Sequence, residues 1–222
     1  MSFTNKTVPH LNFFILLVSF YILNDIFFMF ADNYKTWMAI DYATRFITLG
    51  LIFWTYKKDS DKVQYLYVEK LDFKEIAWVL ALFLIPVFSF TQAFYAHFGE
   101  FNNVTKLFTY PAITNTYVEW FDLTIGLALV AFSEEIFFRV YFYRLFGSKL
   151  SNSMLILLSA LLFGAIHWGT GLVNVFEATI WGAVGMAVFI KTRHIWPLIF
   201  AHFFYNFLSF SGVIDTSLFI LF

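Results

Sequence analysis

Three short stretches carry side chains able to do chemistry: EEIFFR (residues 134–139), LLFGAIHWG (161–169) and AHFFYNF (201–207). All three lie in strongly apolar surroundings, where an ionised group costs roughly 2.5–3.5 kcal/mol on insertion scales and needs a partner or a purpose. Glu135 and Arg139 are four residues apart, share a helix face and form an ion pair. That leaves Glu134 without a partner on its own helix, about 100° around it. His167 follows Phe163 by four residues, with Gly164 and Gly169 permitting close helix approach. His202 and Asn206, also i, i+4, present two hydrogen-bonding groups from one face.

A carboxylate and an imidazole facing one water-filled space can activate water for attack on a carbonyl, with Glu134 as general base. A second histidine and an asparagine on another helix supply N–H donors for the resulting oxyanion. This set describes peptide-bond hydrolysis without a covalent intermediate. Serine catalysis fits poorly, since Ser133 lacks a G-x-S-x-G context. The chain has no cysteine to act as nucleophile or thiolate ligand. Two-aspartate catalysis lacks a facing pair. A zinc alternative stays open, with Glu134, His167 and His202 as a His₂Glu set, although there is no H-E-x-x-H helix. The other buried charges read as structural, with Asp41 and Arg45 neutralising one another at i, i+4.

The elements that must position these groups are membrane helices. Of 222 residues, 60% are apolar and only 13% charged, with 33 phenylalanines, far from the roughly 25% charge of a soluble domain. A net charge of −1 gives no basic character for nucleic acid. Apolar runs cover 11–30, 38–56, 76–97, 118–146, 153–170, 173–190 and 195–210, and the tail 212–222 offers an eighth. A bilayer core needs about 20 helical residues, so the expected fold is an all-α polytopic membrane helix bundle of seven or eight spans. The polar connection from Lys57 to Lys74 has room for a surface helix. Lys6, the five lysines of that connection, Arg144, Lys149, Lys191 and Arg193 fall on one side, and only Lys35 and Lys106 on the other. The positive-inside rule places the N-terminus in the cytoplasm. Counted from the cytoplasmic helix ends at about 1.5 Å per residue, Glu134, His167, Asn206 and His202 lie ~20, ~21, ~17 and ~11 Å deep. The four can therefore meet in one layer.

On these motifs, E-E-x-x-x-R, F-x-x-x-H and H-x-x-x-N in order on successive helices, the chain resembles the CAAX protease and bacteriocin-processing (Abi) family, whose eukaryotic branch is the type II CAAX prenyl endopeptidase. The resemblance covers about residues 118–210, which makes 1–117 a set of accessory helices within one membrane domain. It implies an intramembrane endopeptidase with a cavity open to the cytosol. Glu134 and His167 would activate water, His202 and Asn206 would form the oxyanion site, and Glu135, Arg139 and Phe163 would brace it. The implied partners are the lipid bilayer and a membrane-embedded or membrane-delivered peptide substrate, in a bacterial plasma membrane. A non-proteolytic immunity or signalling protein acting through a partner membrane protein is the alternative. A proton-coupled carrier is a third reading, weakened by the absence of an inverted repeat.

Overall fold

A computed structural model describes residues 7–58 and 73–213. Among them are seven helices and no strand: α1 Thr7–Phe28, α2 Tyr34–Lys58, α3 Phe73–Thr105, α4 residues 116–146, α5 Asn152–Ala165, α6 Leu172–Thr192 and α7 Trp196–Phe210. Leu11–Phe28, Phe73–Thr105 and Leu172–Thr192 are long and apolar enough to cross a membrane, and the chain is an integral membrane protein. The expected eighth segment beyond residue 213 and the surface helix within 59–72 lie outside the described residues.

Cross-contacts sort the helix ends into two faces. On one, Arg144 stacks on Tyr56, Arg193 on Tyr143 and Lys191 over Trp78, and His194 meets Glu75. On the other, the 106–115 segment packs against the α5–α6 connection through Leu107 N–H donating to Gly169 O at 2.9 Å, and Trp37 Nε1–H donates to Pro111 O at 3.2 Å. The first face gathers the basic connections; the second is poor in lysine.

Two long helices contain π-helical turns, which are common at functional sites. In α3 the turn Phe83–Val87 surrounds Pro86, which has no N–H to donate. In α4 one covers Asp122–Gly126 and another Ile136–Tyr141, directly after the two glutamates. Across this turn Arg139 stays in reach of Glu135, so the i, i+4 pairing holds.

One boundary differs from the sequence expectation. The span anticipated over 153–170 stops at Ala165, and His167 sits on a non-helical connection that ends in the short turn Trp168–Thr170. The connection ends at Gly171, the residue before α6, whose φ of 109° is open to glycine and strained for other residues. A Cβ there would also strike the Asn102 side chain. Asn102, from α3, caps α6: its Oδ1 accepts from Val173 N–H at 3.0 Å, and its Nδ2 donates to Thr170 O at 3.1 Å. Removing an N-cap costs about 0.5–2 kcal/mol. Asn102→Ala should lower the detergent-solubilised melting temperature by an amount consistent with that cost, and should loosen the His167 segment.

α5 and α6 approach closely through small residues, as membrane helices do. A Cβ on Gly182 would lie 2.9 Å from Ala160 Cα, and one on Gly164 would lie 2.8 Å from Val175 O. This packing holds the His167 connection against the rest of the bundle. Phenylalanine serves two environments. Phe137, Phe138, Phe142, Phe163 and Phe189 fill the interior, while Phe46 and Phe204 are exposed on surfaces suited to lipid.

Candidate active site

Glu134 and Glu135 leave α4 in different directions, and each has acquired a cation. Glu135, wholly buried, has its Oε2 3.1 Å from Arg139 Nε and accepts from Arg139 Nη2 at 3.3 Å. Arg139 Nη1 donates to Ser159 Oγ at 3.2 Å, and its guanidinium lies 4.8 Å over the Phe163 ring. Trp181 Nε1–H donates to Glu135 Oε1 at 3.4 Å. Glu135, Arg139 and Phe163 are thus in direct contact, with Ser159 from α5 and Trp181 from α6 joining them.

Glu134 does not lack a partner. Arg45, from α2 and 89 residues away in sequence, donates through Nη1 to Glu134 Oε1 at 2.8 Å and to Ser133 Oγ at 3.3 Å. Its Nε donates to Asp41 Oδ2 at 2.9 Å, so the i, i+4 pair exists as well. Asn24 on α1 donates to Asp41 Oδ1 at 3.1 Å. The guanidinium therefore bridges two carboxylates rather than simply neutralising one, and α1 and α2 belong to the site instead of only accompanying it.

Glu134 Oε2 has no hydrogen-bond partner among the described residues and lies 3.8 Å from His202 Nε2. His202 Nδ1 is 3.0 Å from Glu135 Oε1, and its ring packs 5.0 Å from Trp181. Since a carboxylate can only accept, Nδ1–H donates and the ring is held between the two glutamates. His167 is fixed similarly: Nδ1 lies 2.7 Å from Phe163 O, so it donates there and Nε2 carries the lone pair. The Phe163 ring lies 5.1 Å from His167 and 5.9 Å from His202.

Glu134 and His167 line one cavity of about 50 Å³, with Tyr21, Asn24, Asp25, Arg45 and Tyr110. A few water molecules fill such a volume. Asp25 also presents a buried oxygen without a partner among the described residues. His202 reaches Glu134 from behind rather than lining the cavity, and Asn206 neither lines it nor contacts a glutamate. Helix counting ranked these two the other way. It assumed that every helix starts at the same height, whereas α7 begins beside Ile195, which is completely buried. Asn206 then lies about 6 Å further along the helix than His202.

The zinc alternative does not fit these residues. Among the described residues no three His, Asp or Glu side chains are grouped to hold a metal ion. The Arg45 guanidinium beside Glu134 also places a positive charge against this carboxylate.

Arg45 is a positioning residue for Glu134. A misplacement of about 1 Å at a reacting group can cost ~10²-fold. Arg45→Met should therefore lower kcat by about 10- to 100-fold with a smaller change in KM. Arg45→Lys should recover part of it, keeping the charge but losing the fork. Steady-state kinetics on all three proteins would check this.

Residues 116–208 match the family model described as type II CAAX prenyl endopeptidase Rce1-like. Neither curated proteins nor solved structures give a match.

Proposed function

We propose, from the match of residues 116–208 to the type II CAAX prenyl endopeptidase Rce1-like family model, that this chain is an intramembrane endopeptidase. It hydrolyses a peptide bond of a membrane-embedded or membrane-delivered polypeptide in a bacterial plasma membrane. The observation that carries the reading is the Oε2 of Glu134, without a hydrogen-bond partner among the described residues, on a residue that lines one cavity with His167. Arg45 fixes the other oxygen of the same carboxylate. Glu134 thus has one oxygen for orientation and one for chemistry.

In this mechanism Glu134, helped by His167 Nε2, takes a proton from water as the water oxygen bonds to the peptide carbonyl carbon. The carbonyl oxygen becomes an oxyanion. The family resemblance assigns His202 and Asn206 to stabilising it, and for His202 that role requires a proton on Nε2, since its Nδ1–H is held by Glu135. When the C–N bond breaks, the abstracted proton passes to the leaving amine, giving a new carboxylate and a new amine. General-base catalysis of this kind supplies about 10²–10⁴-fold, and each oxyanion donor about 10²–10³-fold.

The test is proteolysis by protein reconstituted in liposomes, using peptides with and without a lipid anchor and mass spectrometry of the fragments. New termini should form with wild-type protein and persist with chelator present, and the purified chain should carry zinc well below stoichiometry. Cleavage abolished by chelator and restored by zinc would overturn the metal-independent route. No fragment from any anchored peptide would overturn the endopeptidase reading.

A further inference from the structure

Resting on the endopeptidase reading, we propose that Asp25 on α1 is a further positioning residue for hydrolysis: its Oδ2 anchors the water of the cavity that it shares with Glu134 and His167, and so orients the nucleophile. Asp25 lies outside the 116–208 family match, and it brings α1 into the chemistry.

Asp25 sits one turn before the end of α1 and is only 7% exposed. Its Oδ2 is buried without a hydrogen-bond partner among the described residues. A buried polar atom in that condition costs free energy unless something satisfies it. The cation that lines the same cavity is already committed, since Arg45 Nε donates to Asp41 and Nη1 donates to Glu134. The neighbouring Asn24 turns its Nδ2 to Asp41 Oδ1. What remains to Asp25 is the cavity itself.

The groups around that cavity call for a molecule that donates. Glu134 Oε2 and Asp25 Oδ2 are carboxylate oxygens, and His167 Nε2 holds a lone pair because Nδ1–H goes to Phe163 O. Tyr21 supplies the complementary hydroxyl, which is also buried without a partner among the described residues. Water brings two O–H groups and accepts in return, and about 50 Å³ holds a few such molecules. A water whose protons both point at acceptors turns a lone pair outward, the orientation that attack on a carbonyl carbon requires. Glu134 then takes one of those protons. Asp25 transfers none and acts only through the water that it holds.

Asp25→Leu keeps a similar volume without an acceptor, and Asp25→Met is the substitute should it fail to insert. With an anchored peptide in liposomes, either variant should lower kcat by about 10- to 100-fold and leave KM nearly unchanged, the effect of a nucleophile displaced by about 1 Å. Asp25→Asn retains one acceptor oxygen and should recover most of that loss. Melting temperatures should not fall, because Oδ2 gives up no hydrogen bond to the described residues. A kcat close to wild type in Asp25→Leu or Asp25→Met would overturn the proposal. So would a loss carried by KM, or a melting temperature that falls with activity in every variant. Asp25→Asn as slow as Asp25→Leu would also overturn it, by assigning the role to charge rather than to the hydrogen bond. Wild-type protein that cleaves no peptide would remove the endopeptidase reading and this proposal together, whereas an active wild type with an unaffected Asp25→Leu would remove the proposal alone.

Discussion

Glu134→Gln is expected to reduce peptide hydrolysis by about 10³-fold or more, within the 10²–10⁴-fold range of general-base catalysis, while the protein inserts and melts much as the wild type does. The amide is nearly isosteric and its oxygen can still accept the 2.8 Å hydrogen bond from Arg45. What it loses is the basicity of the second oxygen, which faces no partner among the described residues. Steady-state kcat with an anchored peptide should fall with little change in KM, since the substitution removes an interaction needed chiefly in the transition state. Activity within threefold of wild type would sink the role of Glu134. His167→Ala should fall less steeply, because the carboxylate would remain.

The largest stability effect is expected at Arg139. Its side chain is completely buried, its guanidinium is paired with Glu135, and a Cβ added at Gly185 would lie 3.0 Å from its Nε. Removing one member of a buried ion pair typically costs about 3–5 kcal/mol, because it strands the other charge. Arg139→Met should therefore destabilise the protein by roughly that amount, seen as a lower melting temperature and poorer recovery from the membrane. The double variant with Glu135→Met should recover much of the loss, since no charge is then left unpaired. His202 would still lose its Nδ1 acceptor, so activity should stay low in the double variant even where stability returns. A double variant less stable than Arg139→Met would show that Glu135 is held chiefly by Trp181 and His202 rather than by the ion pair.

The contrast between the two glutamates shows what could be read early. Glu135 and Arg139 are one helical turn apart, so their pairing follows from helix geometry alone and survives the π-helical turn between them. Phe163 and His167 are likewise local, and the Nδ1 bond of His167 to Phe163 O is made across the same spacing. Arg45 carried a different signal. A local partner, Asp41, accounted for its charge, and nothing in the spacing revealed that the guanidinium also reaches α4. Trp181 was hidden for another reason, since a tryptophan in an apolar run looks like core packing until a buried carboxylate is found beside its N–H.

By itself, the sequence determined an all-helical membrane protein, the approximate helix limits and the Glu135–Arg139 pair. These depend on composition and on contacts within a turn or two of helix. Only the tertiary structure decided that Arg45 holds Glu134 and that His202 rather than Asn206 stands between the glutamates. Those facts depend on the heights and rotations at which helices pack, which Asn102, Gly171 and the buried start of α7 set through contacts between residues distant in the chain.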